Sequence, residues 1–268
     1  MAILTICRES GARGEEIAQK VAEKLGYEFI ARQAIFDEIR EYGEQWFKWG
    51  QEMDDHKPSI WERFDLSFAG FVALKESIMF QHATKNNVVL MGRGGNWMFS
   101  DVPHALRVRI MAPMETRIEN VVKKEAVDRE TAREMLEDGD RERSAYLKAI
   151  YHKDWTKAKY YDIVFDTGNL SEDEVVKMII DELQARDKMF TPQAEEQLKQ
   201  MALASKVKAD IITGLNSFIP TLEVVHDGKE IVLKGTIHKA EEKQKILEIA
   251  KSSASPTPVN NKLHYRGA

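Results

Sequence analysis

The fold class is predicted by residues 2–26, AILTICRESGARGEEIAQKVAEKLG. Their pattern is that of a strand, a loop and a helix in immediate succession. Residues 2–7 form a short apolar run, as in a buried strand, and small or polar residues interrupt it at 9–14. Apolar residues then recur at helical spacing over 15–25. Gly26 follows as a helix-ending residue. The stretch therefore predicts a strand that leads through a loop into a helix.

The loop at residues 8–16 is a candidate phosphate site, because backbone N–H groups and the helix dipole attract anions at such a place. A standard phosphate loop reads GxxxxGK[ST], in which the Lys reaches the terminal phosphates and the hydroxyl residue binds Mg²⁺. In that register Gly14 takes the Lys position and Glu15 the hydroxyl position. The loop alone leaves two interpretations open, a phosphate site and an ordinary strand–helix turn.

Strand and helix patterns continue to alternate up to residue 187. Further apolar strands are predicted at residues 88–91, 105–111 and 162–166. Helical patterns cover residues 34–82, 115–150 with a break at Gly139, and the stretch after Ser171, which forms a capping box with Glu174. This alternation predicts an α/β fold with a parallel sheet and helices on both faces.

Arginines at two further places are candidate anion ligands. Arg93 directly follows the strand at 88–91, and ligands of parallel sheets gather at the carboxyl ends of strands. The stretch 115–150 carries interleaved charges, with Asp140 and Arg143 one helical turn apart. A solvent-facing turn and a solvated helix face are the ordinary interpretations of these patterns. The alternative is a mobile cationic lid, which phosphoryl transfer requires.

The pattern changes after residue 187, where a second domain is predicted over residues 188–268. Its elements are a helix beginning at Thr191-Pro192, strands at 221–226 and 229–237 around the hairpin signal Asp227-Gly228, a helix at 239–251 and a strand at 259–265. The order α-β-β-α-β predicts a small α+β domain behind an α/β domain at residues 1–187.

Composition excludes several classes of protein. The net charge of −5 argues against binding to nucleic acid, which needs a basic surface. Cys7 is the single cysteine, so an intrachain disulfide is excluded and a reducing compartment is favoured. No segment approaches the ~20 apolar residues of a membrane helix, and the N-terminus lacks a signal-peptide pattern, so we expect a cytoplasmic protein. The histidines lack metal-ligand spacing, and no metal site within the protein is predicted.

Taken together, the motifs resemble the divergent cytidylate-kinase-like family of bacteria, which has the fold of P-loop nucleoside monophosphate kinases. The resemblance covers about residues 2–187. Its segments are LTICRESGARGEEIAQKVAEKLG at 4–26, VVLMGRGG at 88–95, LRVRIMAPMETRI at 106–118, the lid pattern from Asp140 to Arg143, and YYDIVFDTGNLSEDEVV at 160–176.

The resemblance implies transfer of the γ-phosphoryl group of ATP, bound with Mg²⁺, to CMP or a related nucleotide. Residues 11–14 would cradle the donor phosphates, Arg93 would hold the acceptor phosphate, and Arg8 would replace the loop Lys. The catalytic residues predicted in this way are Arg8, Arg13, Arg141 and Arg143. The predicted nucleotide- or phosphate-binding residues are Ser10, Gly11, Ala12, Gly14, Glu15, Arg32, Arg93 and Asp140.

Gly14 and Glu15 replace the loop Lys and hydroxyl residue, as in much of this divergent family. Three further positions depart from the expected pattern: Arg13 stands where the family usually has Gly, Gly94 stands where true cytidylate kinases have Asp, and Ala31 stands where family members often have Asp before Arg32. A second interpretation is therefore a catalytically weak or inactive kinase fold that senses a nucleotide. A third, an interaction protein without nucleotide binding, predicts that Arg8, Arg13 and Arg93 do not converge on one cleft.

Residues 192–266 resemble a BON domain. The matching segments are DGKEIVLKGTI at 227–237 and VNNKLHY at 259–265. The resemblance implies a binding module that contacts protein or phospholipid, or that provides a surface for homo-oligomerisation.

Overall fold

A computed structural model describes residues 1–55, 66–215 and 219–266 of this chain. The chain forms two compact units, and the second is assembled from separate stretches of sequence. The first unit contains mainly residues 1–34 and 85–194, and the second contains mainly residues 35–52, 66–84 and 195–266. The predicted boundary between residues 187 and 188 says that residues 1–187 and 188–268 can each fold independently, and this stays a prediction.

The first unit is built on a parallel five-stranded sheet with strand order β2-β3-β1-β4-β5. The strands are β1 (Ile3–Arg8), β2 (Glu28–Ile30), β3 (Val88–Met91), β4 (Ala105–Met111) and β5 (Ile163–Asp166). The predicted parallel α/β sheet is confirmed, because its central strands are the continuous apolar runs that a sheet buried on both faces requires. The three-residue strand β2 was not predicted, since so short a segment carries no alternation pattern.

Ten α-helices lie among the described residues. They are α1 (Gly14–Leu25), α2 (Arg32–Tyr42), α3 (Glu44–Asp55), α4 (Leu66–Thr84), α5 (Gly95–Met98), α6 (Met114–Glu125), α7 (Arg129–Tyr151), α8 (Glu172–Asp187), α9 (Pro192–Gly214) and α10 (Ala240–Ala254). Apolar residues of α1 and α8 pack with β1, β3 and β4 in one core cluster, which includes Ile17 and Ile179. None of the helices in the described ranges is both long enough and apolar enough to cross a bilayer.

The predicted helix break at Gly139 is wrong. The break lies between α6 and α7, where Ala126 adopts a left-handed conformation (φ 56°) and the Asp128 carboxylate accepts hydrogen bonds from two N–H groups at the start of α7. Gly139 lies inside α7. One glycine costs a helix about 1 kcal/mol, which capping at Asp128 and packing of the surrounding turns outweigh.

Aromatic residues join α2, α3 and α4. The Phe36 ring centroid lies 5.6 Å from that of Phe71, and a Cβ added at Gly70 would lie only 2.3 Å from the Trp46 ring. Trp46 and Phe47 are buried, so these side chains form core contacts. Trp61 and Phe64, which the sequence placed in the same helical region, lie outside the described residues.

The C-terminal residues form the predicted α-β-β-α-β arrangement. Strands β6 (Glu223–His226) and β7 (Ile231–Ile237) are antiparallel, and β8 (Val259–Tyr265) pairs in parallel with β7. Gly228 has φ 97° in the hairpin, which explains the glycine there. The Thr191 hydroxyl accepts a hydrogen bond from the Ala194 N–H and caps α9, as predicted. A separate apolar cluster joins α9 and α10 to the three strands.

Candidate phosphate-binding site

A cavity of about 610 Å³ opens where β1 ends and α1 begins. Three further helices of the first unit, α6, α7 and α8, complete its wall. The lining residues are Arg8, Glu9, Ser10, Gly11, Arg13, Gly14, Glu15, Glu16, Asn120, Val121, Lys123, Lys124, Glu125, Met135, Leu136, Arg143 and Glu172. The cavity therefore lies at the carboxyl end of a central parallel strand, where ligands of such sheets gather.

The loop backbone leaves the start of α1 open to an anion. Gly11 has φ 76°, and a Cβ there would lie 2.9 Å from the Arg117 carbonyl oxygen, so only glycine fits. Helix α1 begins at Gly14 without a side-chain cap from any described residue. The N–H groups of its first turn have no partners inside the helix. They are donors for an anion beside the cavity.

Arg8, the last residue of β1, packs directly over that first turn. A Cβ added at Gly14 would lie 2.5 Å from the Arg8 Cβ, so the glycine makes room for the arginine. Burial lowers the pKa of Arg8, and the positive charge of Arg93 lowers it further, while the Glu15 carboxylate opposes both effects. Gly14 stands at the Lys position of a standard loop. Because it has no side chain, the Arg8 guanidinium can lie near the place that the lysine ammonium would occupy.

Arg143 approaches the loop from α7. Its side chain is buried, its Nη2 donates to the Ser10 Oγ at 3.2 Å, and its guanidinium carbon lies 5.5 Å from the centre of the Trp155 ring. Its Nε is buried and makes no hydrogen bond to any residue of the described ranges. Burial lowers the pKa of Arg143 to about 9, and the positive charges of Arg8 and Arg93 contribute to this shift.

Arg93 completes a cluster of cations that come from separate elements. It follows β3, its guanidinium carbon lies 4.9 Å from the centre of the Tyr146 ring, and burial lowers its pKa. The positive charges of Arg93 and Arg143 thus lie close enough to that of Arg8 to affect the pKa values of Arg8 and Arg143, and Arg143 is the buried member of this cluster. Positive charge concentrated in this way attracts anions, so the arrangement favours binding of phosphate groups.

The remaining predicted cations point elsewhere. Arg13 lines the cavity, but its Nη1 pairs with the Glu172 carboxylate at 2.6 Å and its Nε donates to the Asn120 Oδ1 at 3.1 Å. The Arg141 side chain is 71% exposed and pairs with Asp138. Arg32 is exposed at the start of α2 and does not line the cavity. The structure therefore does not bring Arg141 or Arg32 to the cavity.

The other predicted loop residues divide into two groups. Ser10, Gly11, Gly14 and Glu15 line the cavity. Ala12 is fully buried behind it, and its carbonyl accepts a hydrogen bond from the Thr167 hydroxyl at 3.2 Å. Asp140 accepts a hydrogen bond from Arg117 at 2.8 Å instead of lining the cavity. The roles predicted for these residues stay predictions.

Sequence reasoning missed a buried ionic network beneath the loop. The Glu9 carboxylate accepts from Arg109 Nη2 at 2.6 Å and lies 3.6 Å from Arg117 Nη1. Arg109 also contacts Trp155, with its guanidinium carbon 5.0 Å from the ring centre. The available signal was an arginine inside an otherwise apolar strand, because a buried charge there requires a partner.

Comparison with known proteins adds a family to this geometry. Residues 3–169 match the model of the cytidylate kinase-like family. A cytidylate kinase of Methanopyrus kandleri is 26% identical over 196 residues, which are 69% of this chain and 96% of that protein. A cytidylate kinase of Methanocaldococcus jannaschii is 29% identical over 181 residues, covering 66% and 94%. The crystal structure of an uncharacterized protein from Eubacterium ventriosum has a TM-score of 0.54 at 21% identity, covering 69% of this chain and 99% of that one.

Proposed function

Because this chain belongs to the cytidylate kinase-like family, we propose that it is a nucleoside monophosphate kinase that transfers the γ-phosphoryl group of ATP to CMP or a related monophosphate. One observation supports this most directly. Arg8, Arg93 and Arg143 come from three separate parts of the chain; Arg143 is buried, Arg8 and Arg93 are half-buried, and Arg8 and Arg143 line the cavity. Phosphoryl transfer depends mainly on such positioned positive charge.

The proposed roles follow from where each donor lies. The N–H groups of the loop and of the first turn of α1 hold the donor phosphates, together with Arg8. Arg143, on α7, neutralises charge on the group in transfer, and Arg93, after β3, binds the acceptor phosphate through two parallel hydrogen bonds. An acceptor phosphate oxygen attacks the γ-phosphorus as the bond to the β–γ bridging oxygen breaks. The products are ADP and a nucleoside diphosphate.

Mg²⁺ enters this scheme with ATP, as part of the substrate. The residues present suit it, because Glu15 and Glu16 line the cavity and carboxylate oxygens are ligands that Mg²⁺ accepts. Glu16 also lies 3.9 Å from the ammonium group of Lys124. The Lys124 ammonium, which also lines the cavity, would repel a metal cation and is suited to a phosphate oxygen instead.

One observation favours a second function, that of a catalytically weak nucleotide sensor. Gly14 and Glu15 stand where a standard loop has its Lys and hydroxyl residue. The forked head of Arg8 is a different donor from a lysine ammonium. A sensor would bind the nucleotide without efficient transfer, and the C-terminal domain would then be the output.

For residues 192–266 we propose an interaction module, on the resemblance to BON domains stated above. It would contact protein or phospholipid, or a second copy of the chain. We place the whole protein in the cytoplasm, since its buried Cys7 is a free thiol and suits a reducing compartment. Light scattering of the purified chain tests self-association, and co-sedimentation with phospholipid vesicles tests the lipid alternative.

A turnover assay tests the kinase proposal against the sensor. Purified protein is incubated with MgATP and, one at a time, CMP, dCMP, UMP and AMP, and the diphosphate products are separated by chromatography. Formation of CDP faster than the other diphosphates would support the proposed acceptor. Saturable binding of MgATP without any diphosphate product would overturn the kinase proposal and favour the sensor.

A further inference from the structure

Two side chains of helix α6 donate hydrogen bonds to backbone carbonyl groups of the phosphate loop. Arg117 Nε donates to the Ser10 carbonyl oxygen at 2.7 Å, and Asn120 Nδ2 donates to the Gly11 carbonyl oxygen at 2.8 Å. The two donors are three residues apart, so they lie on one face of the helix. Two successive loop carbonyls are therefore each bound by a side chain of α6.

These contacts matter for an anion because peptide groups are planar. Fixing the carbonyls of Ser10 and Gly11 fixes the planes of the peptides that follow them, and with these the directions of the Gly11 and Ala12 N–H groups. The Ala12 N–H donates to the Glu9 carbonyl oxygen at 3.3 Å, so the bond from Asn120 stabilises the turn of the loop, and the bond from Arg117 directs the Gly11 N–H. Each carbonyl oxygen would repel a phosphate if it were unpaired, and here each has a donor. The loop is thus set in advance for a negative ligand.

Arg117 is itself held firmly. It is 4% exposed, its Nη1 donates to Asp140 on α7 at 2.8 Å, and the same nitrogen lies 3.6 Å from the Glu9 carboxylate. The Gly11 backbone lies directly against the Arg117 backbone, where a Cβ would be 2.9 Å from the carbonyl oxygen. Helices α6 and α7 therefore position the loop through one buried arginine.

We infer that Arg117 and Asn120 are positioning residues that hold the loop at residues 9–13 in its anion-binding conformation. The inference rests on the proposed function, because it supposes that the loop binds donor phosphates. It adds to that function a role for α6, whose side chains set the loop conformation that binds phosphate. Neither side chain needs to touch the nucleotide for this role.

The sharpest test is Asn120→Asp. The substitution keeps the shape and keeps an oxygen for Arg13, which donates to the Asn120 Oδ1 from Nε at 3.1 Å and from Nη2 at 2.9 Å. It removes the only donor of this side chain to the Gly11 carbonyl and places an oxygen against it. We expect about tenfold weaker binding of pyrophosphate and MgATP, equivalent to about 1.4 kcal/mol. Amide hydrogen exchange should also become faster over residues 10–16.

We call the bonds from Arg117 and Asn120 to the loop carbonyls the clamp. Two further variants distinguish loss of the clamp from the effect of added charge and from a loss of folding. Thr116→Asp places the same negative charge one turn earlier on α6 without touching a loop carbonyl, and binding should stay within about threefold of the wild type. Arg117→Lys keeps the charge but can serve only one of the two partners, Ser10 and Asp140. We expect it to weaken binding less than Arg117→Met does. Thermal unfolding and circular dichroism confirm that each variant is folded.

The outcomes separate the clamp from the proposed function. Weaker binding and faster exchange in Asn120→Asp, with Thr116→Asp near the wild type, would support the clamp. Wild-type binding and wild-type exchange in Asn120→Asp would overturn the clamp and leave the kinase proposal standing. A wild-type chain that binds neither pyrophosphate nor MgATP would instead overturn the proposed function, and with it the role of the clamp.

Discussion

Arg143→Met removes a buried cation that has opposite effects on the stability of the free protein and on ligand binding. Arg143 is 6% exposed, and its pKa is lowered to about 9 by burial and by the charges of Arg8 and Arg93. Without a bound anion this charge destabilises the fold. With an anion bound, the same charge is a ligand. The variant should therefore weaken ligand binding much more than it changes the stability of the free protein.

The magnitudes follow from the contacts that Arg143 makes. Methionine gives up a hydrogen bond to Ser10 worth about 1 kcal/mol and a cation–π contact with Trp155 worth about 0.5–1 kcal/mol. Replacing a buried charge by an apolar side chain often returns about 1–4 kcal/mol. The net effect lies between about −1 and +2.5 kcal/mol, which is a Tm lowered by up to about 4 °C or raised by up to about 10 °C. Loss of charge-assisted bonds of about 1.5–3 kcal/mol should weaken MgATP binding about 10- to 150-fold.

Calorimetric titration with MgATP measures the binding, and a thermal melt with and without pyrophosphate measures the stability. Lys148→Met is the matched control, because it removes an exposed cation of α7 that does not line the cavity. The control should match the wild type in both measurements. A Tm lowered by more than about 4 °C for Arg143→Met, together with wild-type MgATP binding, would refute the reasoning, because it would make Arg143 a structural residue.

Other parts of the account predict three further outcomes. Arg93→Ala should lower kcat/KM at least tenfold, about 1.4 kcal/mol, and an unchanged rate would contradict its role at the acceptor phosphate. Asp162→Asn should cost about 1.5–3 kcal/mol of unfolding free energy in urea, because it leaves half-buried Arg107 without its bidentate carboxylate partner, whereas exposed Asp173→Asn should cost almost nothing. Burial alone would raise the pKa of Asp162, but the hydrogen bonds and charge of Arg107 outweigh it and lower that pKa, so the stabilisation should be lost as the pH falls below the ordinary value of 3.8. Deleting residues 188–268 should leave the parallel sheet with α1 and α8 folded, because the core around that sheet is built without them, and aggregation of the shortened chain would contradict this.

Local signals predicted much of the fold. Gly26 ends α1 in a left-handed conformation, and Ser171 and Glu174 form the predicted capping box at α8. Each of these features depends on a few neighbouring residues, which is why the sequence is enough to find them. The break between α6 and α7 was predicted at the wrong place. The N-cap Asp128 is a stronger signal for a helix boundary than the single glycine Gly139, which lies inside α7.

The site was less predictable, because its contacts join distant parts of the chain. The bonds from Arg117 and Asn120 to the loop span 107 and 109 residues, and no local pattern encodes such a distance. Arg141 and Arg143 looked equivalent as lid cations. Residues two apart lie on opposite sides of a helix, so only one of them can face the cavity, and the packing of α7 selects Arg143.

We propose above all that the loop, which lacks the standard lysine, still binds donor phosphates through Arg8 and the arginines near it. Calorimetric titration of the wild-type chain with MgATP, with Arg8→Met measured beside it, tests this most directly. We predict saturable binding at micromolar to sub-millimolar concentration, weakened at least about tenfold in Arg8→Met. Absence of binding up to millimolar MgATP, or equal binding by the variant, would contradict the claim.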